Sequence, residues 1–584
     1  MQKSVKNLLL TTAFSISLSF SAQAGPSEDF EKILDDHWAM SLKEYPSFAS
    51  RLGHREYDGK LGTNTARDRA RRLAYNGATL KRLEKIDPDQ LSKNNQLNYA
   101  IFKRARVMEE VEAQHPGHLF PFTNRGGWHM YFAQGPANTP FLEKADYEGY
   151  LGQLADYPRY NEENMALLRE GLAKGYMQYC KSMEGFDKSI STHIVDDVKQ
   201  SAFFAPFKRF PGKISKEDQA RLTARGTKLI KEDIIPAYKK LHEYYTTQYG
   251  PGCRKEVGIS SIEGGADFYQ YLIENFTTTS MSADEIHTLG LSEVKRLRAE
   301  MAKIIKKVEF KGDFKAFVHF LRTDPQFYTD DPVDLLEKTA LISKRMDGEL
   351  PKLFGFLPRN PYGMKEIPHD IAEKTTTAYY MPSNGDGKTA GYYYVNTSLL
   401  KSRPLYTQEA LSFHEAVPGH HLQLAIQKEL DIPIFRKFQS FTAFVEGWAL
   451  YSERLGLEVG FYKDPYSDFG RLTYEMWRAL RLVVDTGMHM KGWSREKAIQ
   501  FMADNSALTL HNITTEVDRY ITWPGQALAY KIGELRITAL RKKAEKTLGE
   551  KFDLRAFHDV VLGNGAVPIV ILENVVNQWI DAQK

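Results

Sequence analysis

The segment His414-Glu415-Ala416-Val417-Pro418-Gly419-His420-His421 gathers three imidazoles and a carboxylate within eight residues. A hydrolytic zinc ion needs about three protein ligands and one open position for water, and histidine with carboxylate is the usual donor set where thiolates are lacking. The common sequence solution is HExxH on a helix. Two histidines four residues apart share one face there, and the glutamate between them reaches the water as general base. In this chain proline stands at position 418, where the second histidine is expected.

Geometry sets what that departure requires. At about 100° per residue, a side chain six places after His414 points away from it on a straight helix, and one seven places on lies about 10 Å further along the axis. Neither shares a metal with His414 unless the helix is interrupted. Pro418 has no amide hydrogen and its ring clashes with the carbonyl of residue 414, while Gly419 permits dihedrals closed to other residues, so the helix is expected to bulge or break. Absorbing two residues brings His420 into register. His421 needs three, which makes His420 the favoured ligand and His421 the alternative.

A third ligand is sought downstream. The segment Phe444-Val445-Glu446-Gly447-Trp448-Ala449-Leu450-Tyr451-Ser452-Glu453 sets Glu446 in apolar surroundings, 32 residues after His414. A buried, unpartnered carboxylate costs several kcal/mol or takes up a proton, whereas a metal satisfies it. Glu453, two turns on, either holds a ligand histidine from behind or is a solvated helix acid.

The expected chemistry is hydrolysis of a peptide substrate: Glu415 takes the proton of a zinc-activated water that attacks a carbonyl carbon. Tyr530 and His489 are the candidates to hold the developing oxyanion. The stretch Tyr392, Tyr393 to Asn396, as a strand with a free edge, is expected to accept an extended peptide by strand addition. Arg481 and Arg519 are candidates to clamp a substrate carboxylate, which favours carboxypeptidase action. Two other readings compete: a zinc amidase acting on cell-wall peptides, and a metal-bearing binding protein without turnover. Glu415 argues against the second, because a purely structural site needs no base beside its first ligand.

The elements that must position these residues are mainly helical. Apolar residues recur at three- and four-residue spacing, as over Leu91 to Val111 and Asp218 to Tyr245. Gly250-Pro251-Gly252 is the clearest break and suggests an N-terminal helical lobe over 25–250 and a catalytic lobe over 251–584, or one interdigitated body. Helices resume from Gly265 through Val308, with a start signal at Ser282. Between Thr375 and Thr397, aromatic and threonine-rich runs flank the turn Pro382-Ser383-Asn384-Gly385-Asp386-Gly387, which reads as a β-hairpin. Helical patterns then run to the C-terminus, including Tyr474 to Val484 and Gln526 to Lys543.

The motifs HEAVPGHH and FVEGWALYSE together resemble those of the bacterial DUF885 proteins, a family of unassigned function that is similar to zincin metallopeptidases whose third ligand is glutamate. The resemblance extends from about Phe30 to the C-terminus and includes Trp477 to His489 and Trp523 to Gly533. It implies a large multi-helix zincin-like body with the small β element beside the active-site helix. The interruption of the zinc motif belongs to the family pattern.

The chain opens with Lys3 and Lys6, an apolar run from Leu8 to Phe20, and Ala22-Gln23-Ala24 before Gly25. That order is expected to be a signal peptide over 1–24, giving a periplasmic or secreted protein without stable membrane insertion. The formal charge of +4 falls to about +2 without the two leader lysines, so nothing points to nucleic acid or an anionic membrane. Cys180 and Cys253 are the only cysteines, which excludes a thiolate metal cluster. In an oxidising compartment they either pair or stay as buried thiols. Oligomeric state and side-chain preference have no signature in the sequence.

Overall fold

Apolar residues at helical spacing bury one stripe after another, and the resulting architecture is mainly α. The computed structural model describes residues 25–373, 375–384 and 389–584. The leader expected over 1–24 and the turn residues Gly385, Asp386 and Gly387 lie outside the described residues.

The Leu91 to Val111 pattern forms α1 (Lys93–Glu112), capped by the Ser92 hydroxyl accepting from the Asn95 amide. After α2 (Lys144–Lys174), the Asp218 to Tyr245 pattern forms α3 (Lys216–Leu229) and α4 (Ile235–Tyr244), joined by π-helical Ile230–Ile234. Pro236 lacks the amide that a regular α-turn needs at this junction. The Gly250-Pro251-Gly252 break follows. It is fastened by a disulfide between Cys180 and Cys253 and by a bridge from Tyr179 to Arg254. α5 (Gly265–Thr277) leads to α6 (Ala283–Lys307), where Ser282 and Glu285 form the reciprocal cap that the sequence announces.

One buried cluster draws only on residues from Leu61 to Tyr249; a larger one combines Ile101 with residues from Val294 to Ile580. The second surrounds α7 (Gln408–Glu415), α8 (His420–Glu429), α9 (Thr442–Leu455), α10 (Pro465–Met490), α11 (Leu510–Thr522) and α12 (Ala529–Leu548). α10 is buried along almost its whole length. Among the described residues no helix is long and apolar enough to cross a membrane.

Strands β1 (Phe122–Thr123) and β2 (Gly126–Gly127) form a minimal ribbon. β3 (Tyr362–Glu366), β4 (Ala378–Met381) and β5 (Gly391–Val395) form a sheet of order β3-β5-β4. The expected hairpin is there: β4 pairs antiparallel with β5, Ala378 opposite Val395 and Met381 opposite Tyr392. The expected free edge is not. β3 pairs in parallel with the other side of β5, Tyr362 opposite Gly391. β5 is therefore the central strand, and Tyr392 to Asn396 has no open ladder for a peptide.

Candidate metal centre

His414 and Glu415 end α7, and α8 begins at His420. Ala416–Gly419 between them is the interruption that Pro418 dictates, with the Val417–Pro418 peptide in cis. A Cβ at position 419 would stand 2.0 Å from the His414 carbonyl oxygen and 2.4 Å from that of Phe413, so only glycine lets α8 start this close to α7. The Pro418 carbonyl accepts from the Trp448 indole N–H at 2.8 Å and the Ser452 hydroxyl at 3.3 Å, both on α9. The break is thus fastened to the helix that carries Glu446.

The result brings three side chains together. His414 Nε2 and His420 Nε2 lie 3.5 and 3.4 Å from Glu446 Oε2, and the three ligand atoms fall within 4.8 Å of one another. Tetrahedral ligands at about 2 Å from a zinc ion stand roughly 3.3 Å apart, so the donor set and spacing fit one cation. The buried Glu446 Oε2 has no hydrogen-bond partner among the described residues, which suits an atom reserved for a metal. Burial works against ionising Glu446, yet the two imidazoles hold its carboxyl well below the usual range. Burial likewise opposes a charge on His414, but the carboxylates of Glu446 and Glu453 outweigh it and raise the group to about 9. A divalent cation satisfies the same electrostatic demand as that proton.

Glu453 is no solvated acid. Its Oε1 lies 2.9 Å from His414 Nδ1, both groups buried, and Arg478 Nη2 approaches the same oxygen at 3.3 Å. With Nδ1–H donating to Glu453, the Nε2 lone pair is left to point at Glu446. His421 turns the other way: its Nδ1 is 2.8 Å from the Tyr380 hydroxyl and its ring packs on Tyr362, with burial lowering it to about 4. Of the adjacent histidines, His420 joins the cluster and His421 serves the sheet.

Tyr530 reaches the site because α9 and α12 touch through backbone. A Cβ on Gly447 would stand 2.5 Å from Gly533 Cα, and this approach sets Tyr530 beside Glu446. The Tyr530 ring is nearly parallel to that of His414 at 6.4 Å, with the Arg481 guanidinium 4.3 Å from its centroid. Burial, reinforced by Glu446, raises its phenol above the ordinary value. Glu415 is buried, and burial, with the nearby Glu415 carboxylate adding to it, raises the phenol of Tyr393.

Several expected roles do not survive the geometry. The alternation of β5 turns Tyr393 wholly into the core toward α7 and Tyr392 to the opposite face, where Lys365 lies 3.5 Å from its ring centre. Asn396 is fully buried. Its amide donates to the carbonyls of Ala372, Thr375 and Thr376, so it ties a loop rather than a substrate. His489 receives the Ile259 N–H at Nδ1 and faces the Tyr520 carbonyl at Nε2, both at 3.0 Å, and burial lowers it to about 3. It is a neutral core histidine with no proton free for an oxyanion. Arg481 and Arg519 both bind the internal carboxylate of Glu516, at 3.1 and 3.0 Å, so the expected clamp does not present two free guanidinium groups. Arg478, Trp448 and Ser452 were not anticipated. For Arg478 the legible signal is its repeat with Arg481 at three-residue spacing in the otherwise apolar stretch Met476 to Val484, which demands buried anionic partners.

The family description "Bacterial protein of unknown function (DUF885)" matches residues 46–576. No curated protein matches the chain. Among solved structures, "the putative lipoprotein from Colwellia psychrerythraea" is 26% identical with a TM-score of 0.89, the match covering 96% of this chain and 100% of that one. A "putative lipoprotein of unknown function from Shewanella oneidensis" is 20% identical with a TM-score of 0.71, covering 95% and 100%, and shares the fold. With nearly its whole length matched, the chain belongs to the DUF885 family of bacterial proteins of unknown function.

Proposed function

We propose that the protein is an exported zinc-dependent hydrolase of peptide or amide bonds. The observation that carries this reading is the convergence of His414, His420 and Glu446 across an interrupted motif, with Glu415 next to the first histidine. The resemblance of the motifs to those of zincin metallopeptidases supports it.

Zinc held by these three residues supplies Lewis acidity that makes a water acidic enough to react near neutral pH. Glu415 takes the proton of the attacking water and returns it to the leaving amine as the C–N bond breaks. The Tyr530 phenol, raised and therefore protonated, donates to the carbonyl oxygen as it gains charge. Glu453 holds His414 in the tautomer that this arrangement needs. With β5 paired on both sides, an extended substrate has the outer edge of β4, which packs against α7, for strand addition. Export is supported by the leader-like residues 1–24, the Cys180–Cys253 disulfide and the description of the Colwellia relative as a putative lipoprotein.

The test is metal analysis of the purified protein together with digestion of a peptide mixture followed by mass spectrometry. Stoichiometric zinc and cleavage that a chelator abolishes and zinc restores are expected. Zinc without cleavage of any peptide or amide would leave a metal-bearing binding protein and end the hydrolase reading.

A further inference from the structure

Beside the Tyr530 ring lies a buried cluster with too much positive charge. Arg481 of α10, Arg519 of α11 and Arg125 of the β1–β2 turn all bind one carboxylate, Glu516, at 3.1, 3.0 and 3.2 Å. The Tyr520 hydroxyl also donates to Glu516, at 2.8 Å, and receives Arg481 Nε. A second acid near these cations is Asp485 of α10, whose Oδ1 is taken by the Tyr269 hydroxyl and the Gly525 amide. Burial raises Asp485 to about 7, so at neutral pH it offsets only part of the excess.

Three guanidinium groups on one carboxylate leave a charge that is costly to bury without a counter-ion. The hydrogen-bond inventory has the same gap. Arg481 Nη1, Arg519 Nε and Arg125 Nε are buried and have no hydrogen-bond partner among the described residues. The Arg481 guanidinium lies between Trp477 and Tyr530, at 4.6 and 4.3 Å from their centroids, and rings accept no conventional hydrogen bond from Nη1.

We propose that this cluster binds the C-terminal carboxylate of a peptide whose scissile carbonyl lies at the His414–His420–Glu446 centre. The proposal rests on the hydrolase reading and narrows it to removal of a short C-terminal fragment. Spacing limits the fragment length: Arg481 is 4.3 Å from the Tyr530 centroid, and that centroid is 6.4 Å from the His414 ring. Extended chain advances about 3.4 Å per residue, so no more than about three residues bridge the distance. Glu516 has a role here that the bare clamp lacked. It anchors the guanidinium groups, and the charge it leaves uncompensated selects a second carboxylate.

The test compares N-acetyl-trialanine with its C-terminal amide on the zinc-loaded Glu415→Gln protein by calorimetry, so that binding is read without turnover. The acid is expected to bind at least about 10-fold more tightly than the amide. Arg481→Met should remove the difference, and the less buried Arg125→Met should reduce it if the first variant does not fold. Equal affinity of acid and amide overturns the proposal, as does equally fast cleavage of free and amidated peptides by the wild type. Failure of the hydrolase reading looks different: carboxylate-selective binding with no cleavage of any peptide retains the site and removes the enzyme.

Discussion

Removing Glu453 isolates the support behind the proposed metal centre. Its carboxylate lies 2.9 Å from His414 Nδ1 and 3.3 Å from Arg478, with all three groups buried. In Glu453→Ala, His414 loses the acceptor that fixes its tautomer, and zinc affinity should fall about 10–100-fold, or roughly 1.4–2.7 kcal/mol. Arg478 is left buried without a counter-charge, which should cost about 3–5 kcal/mol of folding stability. Glu453→Gln keeps an acceptor but not the charge, so its zinc affinity should lie between wild type and alanine. There is a pH signature. Glu446 and Glu453 together raise His414 to about 9 against the effect of burial, so at lower pH a metal must displace a proton from the wild type. The alanine variant has less of that competition, so its deficit should be smallest in acid and full above about pH 9. Zinc competition against a chromogenic chelator across this range, with urea denaturation, measures both effects. Wild-type zinc affinity above pH 9 in a folded alanine variant would refute the positioning role.

Glu415→Gln should lower turnover by at least about 100-fold while zinc content and melting stay at wild type, because it removes the base and no ligand; loss of zinc would make Glu415 a ligand instead. Gly419→Ala puts a Cβ 2.0 Å from the His414 carbonyl and should cost about 1–3 kcal/mol and most of the bound zinc, so an unchanged melting curve with full metal would refute the close-approach argument. Replacing Cys180 and Cys253 by serine opens a loop of sequence separation 73 and should lower stability by up to about 4 kcal/mol in urea titrations; no change would mean that other contacts hold the break equally well. Asp485 has a folded pKa raised from 3.8 to about 7, so its contribution is full below pH 4 and is lost as pH rises through 7. Asp485→Asn should therefore gain stability over wild type at pH 8, by an amount up to the order of 4 kcal/mol, and the two should converge toward pH 4; parallel stability profiles would sink this reading.

Much of the architecture is local and therefore legible. Helical periodicity, the Ser282 cap and the aromatic runs of the β4–β5 hairpin each depend on residues within a few positions of one another, as does the break at Pro418 and Gly419. So does the ranking of His420 over His421, since it counts residues absorbed in one interruption. Glu446 was legible for a different reason: an acid in an apolar helix needs a partner wherever that helix packs. Contacts between distant segments had no such signal. The pairing of β3 with β5, which closes the expected peptide edge, depends on a strand some thirty residues upstream whose composition is unremarkable for a loop. His489 and Asn396 carry reactive side chains, but whether a ring or amide is free depends on which backbone groups packing brings against it. The approach of Gly447 to Gly533 decides that Tyr530 meets the histidines, and the sharing of Glu516 by three arginines decides where charge is left over. Sequence alone determined which residues could do chemistry, because donor type and local spacing are written in the chain. Tertiary structure decided which of them are free to do it, because burial and hydrogen-bond satisfaction depend on partners that only folding supplies.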